Sequence, residues 1–226
     1  MEYLVVKLTG KIFNDESIEL LKKYRDSLLK LVEKGYRIAV VVGGGGLARK
    51  YIEYARRLGV SSNYWLDIIG INASRLNALL LTTLLYPTTP RKPAETLEEV
   101  LENIALYNIV VLGGLIPGQS TAAVAVETAE AINAKLIINA GAIDYVYTKD
   151  PRKHPDAAPL SRVKATQLLQ LIEGETLPGE YQLLDKHAVE LMIRSKIKMA
   201  LIHYKKPEAL LEIIKGRIPG TLILPE

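Results

Sequence analysis

Arg37–Leu58 reads RIAVVVGGGGLARKYIEYARRL: a short β-rich apolar run, four glycines in a row, then a segment with helical periodicity. Strand, tight turn and helix in that order is one unit of an α/β fold with a mainly parallel sheet. The pattern continues on both sides. Tyr3–Leu8 is strand-like, and Glu16–Lys34 has helical spacing, with Ile18, Leu21, Arg25, Leu28, Leu29 and Val32 on one face and Gly35 at its end. Downstream, Tyr64–Leu85 reads as a long helix broken by the Pro/Thr stretch Tyr86–Pro93. Asn108–Leu112 and Lys135–Asn139 read as strands around a small-residue helix at Ser120–Ala131. Asp144–Pro159 is a polar excursion, read as the seam between two lobes. Beyond it come helices near Asp185–Ser195 and Pro207–Lys215 and strands at Lys198–His203 and Thr221–Leu224.

A chain of 226 residues with 49% hydrophobic content can bury a sizeable core, which excludes a disordered or fibrous protein. Uninterrupted apolar runs such as Ile38–Val42 and Ile109–Leu112 are only a few residues long. A bilayer span needs roughly 20, so the expectation is no membrane partner, and the strand-like start at Tyr3 predicts a cytoplasmic protein. The chain has no cysteine, which removes disulfides, thiolate nucleophiles and zinc–thiolate sites. The formal charge of +4 is spread along the chain, favouring small phosphorylated ligands over nucleic acid. His154, His187 and His203 lack metal-ligand spacing, so no protein metal site is expected.

Gly43–Gly46 ends a strand and opens a helix, where backbone N–H groups and the helix dipole hold anions and side chains would block their approach. Four glycines also carry an entropic cost that an ordinary flexible turn seldom bears. The run is neither a dinucleotide fingerprint nor a Walker A loop. Gly113–Thr121, GGLIPGQST, repeats the arrangement with Gln119, Ser120 and Thr121 as side-chain donors. Two such turns at the carboxyl ends of strands imply two phosphorylated ligands and phosphoryl transfer. Lys7, followed by Thr9, Gly10 and Lys11, brings positive charge to the same edge, and Arg49 offers a planar fork one turn into the helix. Asp67 and Arg75 flank the long helix and either line a pocket or lie exposed. Asp185 is an N-cap candidate that can equally anchor Lys7 or a magnesium ion carried by a ligand.

KLTGKIF at Lys7–Phe13, VVGGGGLARKYI at Val41–Ile52, LDIIGINASRLNA at Leu66–Ala78, VLGGLIPGQSTAAVA at Val111–Ala125, YVYTKDPR at Tyr145–Arg152 and YQLLDKHAVELMIRSKIK at Tyr181–Lys198 together resemble the successive motifs of archaeal UMP kinases. The likeness covers essentially the whole chain. It implies an amino acid kinase-like three-layer αβα sandwich, an acceptor-binding lobe at about 1–140 and an ATP-binding lobe at about 141–226. It also implies ATP-dependent conversion of UMP to UDP with Mg²⁺, and a homo-hexamer built as a trimer of dimers. Carried over, Lys7 is the catalytic lysine and Asp185 orients it. Thr9, Gly10, Lys11, Gly45, Arg49, Gly141, Ala142, Tyr147 and Asp150 fall to ATP. Gly44 and Asp67 fall to UMP, whose phosphate and uracil Gly114, Leu115, Ile116, Pro117, Gly118, Gln119, Ser120 and Thr121 enclose.

Where many relatives read Thr-Asn-Val-Asp-Gly-Val-Tyr, this chain has Gly141-Ala142-Ile143-Asp144-Tyr145-Val146-Tyr147. Backbone groups of Gly141 and Ala142 then meet the nucleotide, and Tyr145 either stacks on adenine or fills part of its site. Isopentenyl phosphate, carbamate, acetylglutamate and aspartate kinases of the same superfamily use similar glycine turns, so a related kinase with another acceptor such as isopentenyl phosphate is the alternative within it. A nucleotide- or oxyanion-binding storage protein, or a nucleotide sensor, is the alternative outside catalysis.

Overall fold

The computed structural model describes residues 2–14, 18–149, 151, 154–173 and 184–226. Its first half runs β1 (Glu2–Leu8), a 3-10 turn (Gly10–Phe13), α1 (Ile18–Glu33), β2 (Tyr36–Val42), α2 (Gly45–Arg57), α3 (Asn63–Leu85), α4 (Leu97–Leu106) and β3 (Ile109–Leu112). Then follow α5 (Thr121–Ala131), β4 (Leu136–Gly141), β5 (Val146–Tyr147), β6 (Pro159–Leu160), β7 (Arg162–Lys164) and α6 (Ala165–Glu173). The chain ends with α7 (Lys186–Ser195), β8 (Lys198–His203), α8 (Ala209–Ile213) and β9 (Thr221–Leu224).

Seven strands form one sheet in the order β3-β2-β1-β4-β8-β9-β7. The five from β3 to β8 are mutually parallel, β9 runs antiparallel to β8, and β7 runs parallel to β9. β5 and β6 pair separately as an antiparallel ribbon. Because side chains alternate along a strand, the sheet feeds two cores. Val5, Val41, Leu112, Ile137 and Leu201 face α4, α5, α6 and α7, while Leu4, Val6, Val40, Val111 and Ile202 face α1, α3 and α8. This is the expected three-layer sandwich.

The buried stripe of α1 differs from the expected one. Tyr24, Ser27, Leu28 and Leu31 are buried, whereas Ile18 is 64% exposed. Tyr24 can point inward because its hydroxyl donates to the Tyr204 carbonyl oxygen at 2.7 Å, so burying the ring leaves no polar group unpaired. α4 and α6 are additions to the sequence reading. α2 starts two residues earlier than expected, so Gly45 and Gly46 belong to its first turn. The polar excursion contains the β5–β6 ribbon, with Val146 fully buried and its N–H donating to Thr221 Oγ1 at 2.9 Å.

α3 has 23 residues and, by length and composition alone, is apolar enough to cross a membrane, although 44% of its most apolar stretch is buried within the protein. Asp67, Ser74, Arg75 and Asn77 interrupt it, and all four bond to the two glycine turns. That is the behaviour of a core helix with one face on the sheet.

The strand order reverses between β1 and β4, so the carboxyl ends of these strands open the crevice where α/β sheets of this kind bind ligands. Leu8, Val42, Leu112, Gly141 and His203 end the five parallel strands along that edge.

Candidate active site

Lys7 lies one residue from the end of β1, in register with Val41 and Asn139, on the sheet face that carries α5 and α7. Part of its side chain still meets solvent. Its surroundings are nonetheless dense enough that burial lowers its pKa from 10.5 to about 8, a shift opposed by the negative charge of Asp185. A lysine held this way is an ammonium near neutral pH and unusually willing to interact with an incoming anion.

The two glycine turns are built differently. At the first, Asn77 Nδ2 from α3 donates to the Gly43 carbonyl at 2.9 Å and the Gly44 carbonyl at 3.3 Å, which turns the acceptors of this loop toward α3. Gly44 caps α2 without a side-chain bond, so the amides of the helix start are left for a ligand. The glycines are also a packing requirement: a Cβ on Gly44 would come within 2.6 Å of Ala48 Cβ, and one on Gly45 within 2.2 Å of the Gly10 carbonyl oxygen. Gly46 faces only the Asn14 side chain.

At the second turn two backbone amides are already engaged. Gly114 N–H donates to Ser74 Oγ at 2.7 Å and Gly118 N–H to Asp67 Oδ2 at 2.8 Å. The Ser120 hydroxyl caps α5 by accepting from the amides of Ala122 and Ala123. Arg75 clamps the same turn, donating to the carbonyls of Gly114 at 3.2 Å and Leu115 at 3.5 Å and pairing with Glu95 at 2.6 Å. These bonds fix the path of the turn against α3.

Between the turns lies a cavity of about 130 Å³ lined by Gly44, Asp67, Gly114, Ile116, Gln119 and Thr121 together with residues of α2 and α3. Those six are acceptor-site residues expected from the sequence. The other four expected there belong to the same turn without lining this cavity: Leu115 packs against the core, and Gly118 bonds Asp67 of the cavity wall. Gly70 and Ser74 of the lining, and Asn77 at the first glycine turn, were not anticipated. The signal for them was available, since Asp67, Gly70, Ser74 and Asn77 recur every three or four residues along an otherwise apolar helix.

Of the residues expected at a nucleotide donor, Thr9 continues the sheet edge, its N–H donating to the Ala140 carbonyl at 3.1 Å. Gly10 is buried against the first glycine turn, and Lys11 lies in the 3-10 turn beside it. Gly141 ends β4, Ala142 is exposed just beyond it, and Tyr147 lies in β5. Arg49 is exposed on α2. Tyr145 and Tyr147 meet edge to face at 6.4 Å, so the two rings brace one another. Asp150 lies outside the described residues. His203, read from sequence as a surface or packing residue, ends β8 opposite Gly141. Burial is the largest influence on it and lowers its pKa, with Asp144 acting in the opposite sense. Among the described residues no group of three or more His, Asp or Glu is placed to hold a metal.

A family model described as the amino acid kinase family matches residues 2–203. The uridylate kinase of Staphylothermus marinus is 50% identical over 222 residues, 98% of each chain. The uridylate kinase of Sulfurisphaera tokodaii is 43% identical over 224 residues, 98% of this chain and 99% of that one. The crystal structure of uridylate kinase from Archaeoglobus fulgidus superposes with a TM-score of 0.87 at 37% identity, covering 99% of this chain and all of the other.

Proposed function

The chain belongs to the amino acid kinase family, and on that premise we propose that it is an ATP-dependent UMP kinase serving pyrimidine nucleotide synthesis in the cytoplasm. The observation that carries the reading is the cavity beside Lys7's edge of the sheet, walled by Gly44, Asp67, Gly114, Ile116, Gln119 and Thr121. Its chemistry suits a pyrimidine nucleotide. Gln119 is oriented by its Nε2 bond to Glu127 at 2.6 Å, which leaves Oε1 a buried acceptor without a partner among the described residues. Turned into the cavity, this oxygen would accept from the imide N–H of uracil, whereas cytosine offers an acceptor at that position and isopentenyl phosphate offers nothing.

In this scheme residues up to about 140 form the acceptor lobe and those from about 141 the ATP lobe. A phosphate oxygen of UMP attacks the γ-phosphorus of ATP in line. The new P–O bond forms as the bond to the β–γ bridging oxygen breaks, and ADP leaves with that electron pair. The attacking oxygen is already anionic, so no strong general base is needed, and the scheme has no covalent enzyme intermediate. Lys7 balances charge on the transferred group, while Thr9, Gly10, Lys11 and the amides of α2's first turn hold the phosphates. Magnesium bound to the ATP phosphates would neutralise part of their charge, a mode in which the ion is held through substrate phosphates and water.

The test is release of ADP from ATP and Mg²⁺ with UMP, CMP, AMP and isopentenyl phosphate offered separately. Turnover with UMP alone is expected. Equal or better turnover with isopentenyl phosphate would overturn the acceptor assignment.

We further propose that the protein is a homo-hexamer assembled from dimers, and that α2 and α3 form the dimer face. Trp65, Leu76 and Leu80 of α3 are 58%, 56% and 51% exposed beside a groove of about 310 Å³ lined by Leu47, Tyr51, Ile68, Ile69, Asn72, Ala73 and Leu76. An apolar surface of this kind is suited to self-association. Leu76→Glu combined with Leu80→Glu is expected to reduce the particle mass seen by light scattering, and an unchanged mass would exclude this face.

A further inference from the structure

Ser120 and Asp185 are 65 positions apart, and each caps the N-terminus of a helix. The Ser120 oxygen accepts from Ala122 N–H at 3.2 Å and Ala123 N–H at 3.1 Å at the start of α5. Asp185 Oδ1 accepts from Ala188 N–H at 3.0 Å at the start of α7. The Ser120 hydroxyl proton goes to Asp185 Oδ2 in a short bond. A serine hydroxyl has one proton and two lone pairs, so Ser120 has nothing left for a ligand. It is also absent from the lining of the acceptor cavity, where its neighbour Thr121 stands.

Building on the kinase reading, we propose that Ser120 is a positioning residue: its hydroxyl fastens the acceptor-side turn to the start of α7 and holds the Asp185 carboxylate in place there. The surroundings single out this pair. Across β2 and β4 the register neighbours of Lys7 are the uncharged Val41 and Asn139. α5 begins with the neutral Ser120 and Thr121, while Lys186 and His187 of α7 are exposed. Lys11 acts on His203. Asp185 is the charged group that favours the protonated form of Lys7 against its burial. A carboxylate that loses one of its two anchors is free to rotate, and its field at the ammonium weakens.

The experiment uses the full-length protein and the variants Ser120→Ala, Ser120→Gly and Ser120→Thr. Glycine keeps most of the helix cap but cannot donate, and threonine keeps both functions. Trace acetylation of Lys7 by acetic anhydride, followed by mass spectrometry across pH, reports when Lys7 loses its proton and requires no turnover. The wild-type midpoint is expected at about 8. It should fall by roughly one unit in the alanine and glycine variants and return with threonine, as expected when an opposite charge is displaced. In parallel, kcat with UMP should drop roughly ten- to hundredfold, the scale seen when an orienting partner is removed, with little change in KM. An unmoved midpoint in both the alanine and glycine variants would overturn the proposal. So would a rise in the KM for UMP with an unchanged pH profile, since that marks a direct ligand contact. Absence of UMP turnover in the wild type alongside the shifted midpoint would remove the kinase reading and support the positioning role of Ser120.

Discussion

Lys7→Ala is expected to abolish turnover, lowering kcat by about 10³-fold, the scale for removing a preorganised charge stabiliser at a transferring group. UMP binding should stay close to wild type, because the acceptor cavity is walled by other residues. The pH dependence gives the assignment a sharper form. Lys7 carries its charge below about 8, so kcat/KM, which reports the free enzyme, should decline as pH rises through that value. The limb in kcat itself should lie higher, since bound nucleotide phosphates favour the ammonium. Stability should move the opposite way. The unfolded chain keeps its lysine proton up to about 10.5 while the folded one releases it near 8, so the unfolded state binds more protons between those values and stability rises with pH across that window. Asp185 keeps its bonds to Ser120 and Ala188 without Lys7, so the variant should fold. A variant with wild-type turnover, or a flat wild-type profile from pH 7 to 10, would remove Lys7 from the catalytic role.

The strands and turns of this fold were legible because their signals are local. Val40 and Val111 lie in short apolar runs that end at glycine, and Val5 lies in another such run just ahead of Thr9-Gly10; runs of this kind mark buried strands. α4 was equally local and was missed: Thr96-Leu97-Glu98-Glu99 is a capping pattern, and Thr96 Oγ1 does accept from Glu99 N–H at 3.1 Å. The face of α1 was harder, because placing Tyr24 inside depends on the Tyr204 carbonyl, 180 residues away. The acceptor site divides the same way. Gly44, Asp67, Gln119 and Thr121 could be assigned by resemblance, but the engagement of the Gly114 and Gly118 amides by Ser74 and Asp67 is tertiary. So is the engagement of the Ser120 hydroxyl by Asp185, Ala122 and Ala123.

The same distinction between motif and packing explains why Gly10 should be the least replaceable glycine of the site. A Cβ there would lie 2.1 Å from Gly45 N and 2.5 Å from the Gly43 carbonyl oxygen, both backbone atoms. Neither turn can yield by rotating a side chain. Gly43 N–H is tied to the Leu8 carbonyl at 3.0 Å, and Asn77 holds the carbonyls of Gly43 and Gly44. Gly45 itself sits at φ +61°, a conformation suited to glycine. Gly10→Ala must therefore push the 3-10 turn away from the start of α2, a clash expected to cost about 2–4 kcal/mol in denaturant unfolding. Displacing the first anion turn by about 1 Å should also lower kcat/KM by roughly 10²-fold in the molecules that remain folded. Two controls separate this steric effect from the ordinary cost of replacing glycine. Gly59→Ala meets no atom within 4 Å, although φ is +91°, so it should lose a little stability and keep its activity. Gly46→Ala meets only Asn14 Oδ1 at 3.1 Å, a side chain that can move aside. If Gly10→Ala behaved like either control, the close approach of the two turns would not be what fixes the phosphate-binding edge; if it alone fails, the four-glycine run owes its composition to packing against Gly10 and α3 as much as to the ligand it faces.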